Sequence, residues 1–289
     1  VALCFFSSLL ITNDVSLITF VRFAIMMLKK CGRWELMIPV VVLQTIAANL
    51  GSMLTPIGNP QNLYLYGFAG VGAGQFMMWL LPYTVISAVL LIISILLLKN
   101  KNADVSMKDT DNNSEQRTAP VNVLLYTILF VIALLVVARV LPWYVLTVLV
   151  LVTTFIIERN VLLKADYALL LTFVGFFIFT GNMGRIEPVA LFLSGIADGR
   201  EIGVGIITSQ CISNVPAALL LSGFTHNIKS LALGVNIGGL GTLIASMASL
   251  ISYKQYVNEV PEGKGKYFVT FTVYNVIFLI VLYACTKLI

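Results

Sequence analysis

Thr55-Pro56-Ile57-Gly58-Asn59-Pro60-Gln61-Asn62 is a polar interruption in an otherwise oily stretch, ANLGSMLTPIGNPQNLYLY from Ala48. Pro56 and Pro60 each remove a backbone donor, and Gly58 admits backbone angles that other residues avoid. A helix broken here leaves carbonyls and amides unpaired, which is tolerated at membrane depth only where the backbone lines a cavity or is buried in protein. Together with Thr55, Asn59 and Asn62, such carbonyls suit a hard cation such as sodium. Gly238-Gly239-Leu240-Gly241-Thr242 breaks the apolar segment 230–253 in the same way, with Gly239 and Thr242 as its candidate ligands.

Two further polar islets, Thr12-Asn13-Asp14 and Ser213-Asn214-Val215-Pro216, each lie between short apolar arms. A re-entrant hairpin tip exposes a helix N-terminus, whose unpaired amides and positive dipole end favour an anion. Asn13 and Asn214 add donors and acceptors without a buried charge. No lysine or arginine falls at either tip, so an anionic substrate would need a co-bound cation or proton. Asp14 is the one carboxylate beside these motifs, and ionisable residues within a membrane are functional candidates by default. It could carry a proton, hold sodium as a carboxylate, or cap a helix beginning at Val15; these readings stay open together.

The elements that must position these residues follow from composition. The 289 residues are 59% hydrophobic and 11% charged, with mean hydropathy +0.96. Soluble domains carry about a quarter charged residues, and runs near 20 apolar residues span a bilayer. The expected architecture is an all-α membrane protein of the inverted-repeat type, with re-entrant hairpins and broken helices. Net charge of +5 reflects basic residues scattered singly in short loops, which membrane orientation requires, and nucleic acid is excluded as a partner. Cys4, Cys31, Cys211 and Cys285 are scattered and His226 stands alone in a polar loop, so neither a metal site nor a disulfide framework is expected. A membrane enzyme would need a nucleophile with a base, or a metal constellation, and an ATP-driven pump would need GxxxxGK[ST]. Neither pattern occurs.

In chain order, a hairpin over residues 1–28 has arms of about a dozen residues, too short to span alone. A basic loop follows at 29–35, then the broken helix as 36–54 and 62–68, and a span over 78–98. Residues 99–118, KNKNADVSMKDTDNNSEQRT, read as a solvated cytoplasmic linker. Spans are expected at 121–140, 143–157 and 167–180, the second hairpin at 200–225, the second broken helix at 230–253 and a last span at 268–289. The domain reading is a first repeat over 1–98, the linker, and a second repeat over 119–289.

Paired interruptions in corresponding positions point to a transporter site built from repeats. Following the spans puts loops 29–35, 99–118, 158–166 and 254–266 on one side, with twelve of the eighteen Lys and Arg. The other side holds five (Arg139, Arg185, Arg200, Lys229 and Lys287), while Arg22 lies within a hairpin arm. The richer side is cytoplasmic, so the two hairpins enter from opposite faces. Matching the repeats leaves about three spanning elements expected ahead of Val1.

ANLGSMLTPIGNPQNL, with TND, SNVP and NIGGLGTLIAS, resembles the citrate-transporter-like branch of the ion transporter superfamily. That branch includes divalent-anion/sodium symporters, arsenite permeases and certain sodium/proton antiporters. The resemblance implies a secondary transporter of a small anion, an organic carboxylate or inorganic oxyanion, coupled to Na+ or H+ by alternating access in a bacterial-type plasma membrane. It implies no cofactor beyond the coupling ion, and a homodimer is left open. Dicarboxylate members carry Ser-Asn-Thr at both tips to hold a substrate carboxylate, a signature from which Asp14 and Val215 depart. An acidic first tip is closer to the arsenite-permease and antiporter branches. Sodium/proton exchange or arsenite efflux through Asp14 is therefore the alternative.

Overall fold

Backbone amides in hydrocarbon must pair within their own segment, so the apolar runs of this chain fold as helices. The computed structural model describes residues 1–98, 120–157, 159, 167–183 and 185–289, with fourteen α-helices and no strand among them. These are α1 (Ala2–Ser7), α2 (Asn13–Lys30), α3 (Met37–Ser52), α4 (Pro60–Ala69), α5 (Ala73–Leu96), α6 (Pro120–Val137) and α7 (Trp143–Ile157). There follow α8 (Tyr167–Met183), α9 (Glu187–Ala197), α10 (Glu201–Ile212), α11 (Asn214–Ser222), α12 (Ile228–Gly238), α13 (Met247–Glu259) and α14 (Lys264–Cys285). Among the described residues three stretches, Trp34–Ser52, Ala73–Leu96 and Pro261–Cys285, are long and apolar enough to cross a membrane. The chain is an all-α membrane protein.

The helices form two compact units, one of Val1–Lys108 with Phe176–Ile289 and one of Asp109–Gly175. In the smaller unit α6 packs on α7. The expected linker, 99–118, lies outside the described residues.

The larger unit is built around α3 and α12, the first halves of the two broken helices. Met37 and Ile38 and every residue from Val41 to Ser52 are buried in α3, as is every residue of α12 from Leu231 onward. A helix enclosed on all sides belongs at a core. The hairpin α1–α2 packs on α3, and the hairpin α10–α11 packs on α12. The second halves cross over: α4 packs on α11 and α12, whereas α13 packs on α2 and α3. Each first half is thus enclosed by its own hairpin and by the second half of the other broken helix.

The contacts repeat along with the elements. Reading the two broken helices in register pairs Asn49 with Asn236, Gly51 with Gly238, Thr55 with Thr242, Ile57 with Ile244 and Asn59 with Ser246. A Cβ on Gly51 would lie 2.3 Å from the Phe5 carbonyl oxygen and 2.5 Å from Ser8 Oγ. On Gly238 it would lie 2.7 Å from Ser209 Oγ. Both glycines let a hairpin arm lie directly against the buried helix.

The ends of the unit are chemically marked. Lys29, at the base of the first hairpin, forms an ion pair with Glu259, which joins the loops read from charge as sharing one side. Arg200, at the base of the second hairpin, shares a cleft with Tyr283 and Lys287. Glu259 lies just ahead of α14 and Lys287 just beyond its end. The 22 residues of α14 put about 33 Å between them at 1.5 Å per residue. The two hairpins therefore start from opposite ends of α14.

Several boundaries differ from those read in the sequence. In the first hairpin arm the helix ends at Ser7, ahead of the tip at Thr12, because the chain leaves the helix at Ser8. Helix α2 begins at Asn13, with Thr12 as its N-cap, rather than at Val15. The second break continues past Thr242 through a 3₁₀ turn to Ser246. Helix α9 occupies a stretch read only as flanking loop; Pro188 in its first turn suits a helix start.

Gly51→Ala should cost about 1–3 kcal/mol of stability, as overpacking does. Thermal unfolding in detergent should show this as a lowered midpoint. Gly67→Ala, where the added carbon meets nothing within 4 Å, should leave the midpoint unchanged or raise it. Equal loss in both variants would remove close approach as the reason for Gly51.

Candidate functional site

Where α3 stops at Ser52 and α4 starts at Pro60, the intervening carbonyls cannot be satisfied by helix geometry. Side-chain amides take over. Asn62 Nδ2 donates to the carbonyl oxygens of Met53 (2.7 Å) and Thr55 (3.1 Å). Asn59 caps α4, its Oδ1 accepting from the Asn62 N–H at 2.9 Å. The first hairpin supplies the rest: the Asn13 N–H donates to the Gly58 carbonyl at 3.0 Å, and the Thr55 hydroxyl donates back to the Leu9 carbonyl at 2.6 Å. Gly58 is glycine for a reason other than positive φ, which it does not adopt. A Cβ there would lie 2.1 Å from the Ser52 carbonyl oxygen, so close backbone approach is what excludes a side chain.

The second break is closed by its own hairpin in the same manner. Gln210 Nε2, on α10, donates to the Gly238 (2.8 Å) and Leu240 (2.9 Å) carbonyls, while its Oε1 accepts from the Thr242 N–H at 2.9 Å. The Thr242 hydroxyl donates to the Gln210 carbonyl at 3.5 Å, the counterpart of Thr55 with Leu9. Ser213, with φ of 73°, turns the tip and donates to the Ala245 carbonyl at 3.4 Å.

Two asparagines then join the breaks reciprocally. Asn236 Oδ1 accepts from Asn59 Nδ2 at 3.0 Å, and its Nδ2 donates to Asn62 Oδ1 at 2.7 Å. Asn49 Oδ1 accepts from Ser246 Oγ at 3.0 Å, and its Nδ2 reaches Ser249 Oγ at 3.5 Å. Ser246 and Ser249 occupy in α13 the positions that Asn59 and Asn62 occupy in α4. One arrangement is used twice, as across an isologous interface.

This network brings the tips together. Asn13 Nδ2 donates to Asn49 Oδ1 at 3.3 Å, Asn49 Nδ2 reaches the Gly239 carbonyl at 3.5 Å, and Asn214 Nδ2 lies 2.9 Å from where a Gly239 Cβ would stand. Asn49 and Gly239 thus lie between Asn13 and Asn214, which meets Gly239 by packing, and both tip asparagines are buried. Asp14 does not cap: its carboxylate has no hydrogen-bond or ion-pair partner among the described residues, and it stands in the first turn of α2 with its own N–H on Asn13 Oδ1 at 3.0 Å. Pro216 lies in the first turn of α11 and offers no N–H, and Thr242 is exposed.

Asn49, Asn236, Gln210, Ser246 and Ser249 carry more of the site than their sequence context indicates. Gln44, in contrast, faces the neighbouring helix, donating to the Phe20 carbonyl at 3.1 Å, and Asn182 is exposed. Aligning the two breaks residue by residue is the signal that identifies Ser246, since it falls opposite Asn59. Away from the site, Glu201 is buried at the start of the second hairpin, accepting from the Thr225 hydroxyl at 3.0 Å and the Gly199 N–H at 3.2 Å. Glu187 and Asp198 are exposed; Glu187 opens α9 and Asp198 ends it, so they flank a helix rather than lie in a loop. Among the described residues no group of His, Cys, Asp and Glu could hold a metal ion.

Comparison with known proteins gives a match to the citrate transporter family over residues 1–230. An uncharacterized transporter of Methanocaldococcus jannaschii is 33% identical over 263 residues, 91% of this chain and 71% of the relative. The inner membrane protein YbiR of Escherichia coli K12 is 28% identical over 253 residues, 86% of this chain and 66% of the relative.

Asn236→Ala should cost about 1–3 kcal/mol, because it strands the buried amides of Asn59 and Asn62. Asn182→Ala should stay within about 0.5 kcal/mol. In a double-mutant cycle, Asn59→Ala and Asn236→Ala should couple by about 0.5–3 kcal/mol. Additive losses would show that the two breaks are held by something else.

Proposed function

The chain belongs to the citrate transporter family and is a membrane transporter, and we propose that it moves a small anion by secondary active transport, coupled to Na+ or H+. The observation that carries this reading is the meeting of the two hairpin tips through Asn13, Asn49, Gly239 and Asn214. Two helix N-termini directed to one buried place turn positive dipole ends towards an anion from both sides. The substrate is an organic carboxylate or an inorganic oxyanion. Thr12, Asn13, Ser213 and Asn214 line its place, and Pro216 shapes the second tip. The hydroxyls of Thr55 and Thr242 each donate one hydrogen bond yet keep lone pairs for a cation. With the break carbonyls beside Gly58 and Gly239, and Asn59 and Asn62, they form the coupling-ion side.

Alternating access is supported by the doubled architecture. Hairpins that start from opposite ends of α14, with breaks joined by a reciprocal network, let one half tilt against the other around a fixed centre. The basic end bearing Lys29 and Glu259 is taken as the cytoplasmic side of a bacterial-type plasma membrane, and the linker 99–118 is read on that same cytoplasmic side.

A second reading is favoured by Asp14. The site amides are spent on carbonyls and on each other, whereas its carboxylate has no partner among the described residues. That leaves it free to exchange a proton for sodium, as a sodium/proton antiporter or an arsenite efflux permease would require.

Uptake of citrate, succinate, sulfate and arsenite into proteoliposomes with imposed sodium and proton gradients tests these readings. Hydrogen bonds to charged groups contribute about 1.5–3 kcal/mol, so Asn13→Ala and Asn214→Ala should each lower uptake roughly ten- to hundredfold while the protein still inserts. Normal uptake in both variants would remove the tips from the site. Asp14→Asn should abolish the sodium or pH dependence of flux if Asp14 couples. Sodium/proton exchange without any anion would decide for the antiporter.

A further inference from the structure

The C-terminal ends of α2 and α13 enclose a cleft of about 510 Å³ at the Lys29–Glu259 end of the larger unit. It lies at the far ends of both helices from the transport site: α2 begins at the Thr12–Asp14 tip, and α13 begins at Ser246, which holds Asn49. Nothing in the proposed transport cycle uses it.

Its lining is cationic. Arg22, Lys29 and Lys30 face a single carboxylate, Glu259. Lys29 is committed to Glu259 and lies 5.7 Å from the centre of the Trp34 ring. Arg22 and Lys30 are exposed and have no carboxylate partner among the described residues. Eight positions on one helix separate them, about 12 Å along its axis. At 3.6 residues per turn they also stand about 80° apart around it, so the two unpaired charges are offset both along and around the helix. Gln255, also in the lining, has its Oε1 buried without a hydrogen-bond partner, which leaves an acceptor for a hydroxyl. Met26 is exposed at the cleft, and Ile18 and Phe23 are exposed nearby on α2, so the charged groove opens onto an oily helix surface.

We propose that this cleft binds the head group of an anionic phospholipid bearing hydroxyls, of the phosphatidylglycerol type. Its phosphodiester is held between Arg22 and Lys30, and a glycerol hydroxyl donates to Gln255. A free phosphate would satisfy the charge alone. A lipid also covers the apolar surface beside Ile18, Phe23 and Met26. Basic pockets between membrane helices take anionic head groups for this reason. Assignment to the inner leaflet rests on the charge-based orientation under Proposed function; the binding itself does not. A bound head group ties α2 to α13 and so braces, from below, the two helices whose other ends form the tip and the second break.

The test uses full-length protein purified in detergent and followed by thermal unfolding. Phosphatidylglycerol should raise the midpoint in a saturable way, as ligands of the native state do. Phosphatidylcholine with the same acyl chains, inorganic phosphate and glycerol phosphate should not. Arg22→Gln with Lys30→Gln should weaken the phosphatidylglycerol effect at least tenfold, whereas Arg185→Gln with Lys229→Gln should leave it unchanged. Gln255→Leu should weaken phosphatidylglycerol severalfold and spare phosphatidic acid, which lacks the hydroxyls. An equal shift with phosphatidylcholine, the full shift with phosphate alone, or an undiminished shift in the Arg22/Lys30 variant would each overturn the proposal. Should that variant fail to fold, native mass spectrometry of the unaltered protein in mixed lipid decides. Selective retention of one phosphatidylglycerol per chain supports the site, and retention in proportion to the mixture overturns it.

Discussion

A helix interrupted inside hydrocarbon must find hydrogen-bond partners for the backbone groups it frees, and no water is there to supply them. This chain meets that demand with side-chain amides. Asn62, Gln210 and the backbone N–H of Asn13 pair with the carbonyls of Met53, Thr55, Gly238, Leu240 and Gly58. Each of those partners sits on a neighbouring element or beyond the break. A broken helix here is therefore stable only in the company of its hairpin, and the two must form together.

The same demand ties the halves to each other. Asn49 and Asn236 lie in the first halves, and both are held by the start of the opposite second half. Because every polar atom in such a cluster needs its partner, the network has few alternative packings and defines a single relation between the breaks. The carboxylate of Asp14, which has no hydrogen-bond or ion-pair partner among the described residues, is the exception in this cluster.

The glycines and small residues along α3 and α12 set how near the hairpins approach. Gly51 and Gly238 stand at equivalent positions, and Ser8 and Ser209 fill the space that side chains there would take. The close approach brings Asn13 within reach of Asn49. Packing in the buried helices thus decides the polar geometry at the tips.

Much of this was legible in the chain itself. The apolar runs, the polar islets at Thr12–Asp14 and Ser213–Pro216 and the two breaks all depend on local residue types, because proline, glycine and the absence of charge act within a few residues. Ends of elements were less so: α2 begins at Asn13 rather than Val15, and the second break runs on to Ser246. Both ends carry contacts to distant segments, the Asn13 N–H to the Gly58 carbonyl and Ser246 Oγ to Asn49 Oδ1. The contacts between Asn236 and Asn59, or between Gln210 and Gly238, join residues from elements far apart in the chain, and no local pattern distinguishes them from asparagines such as Asn182 that face outward. Residue types decided where the helices break; only the packed structure decided which amides close the gaps, since a hydrogen bond depends on proximity that distant segments acquire by folding.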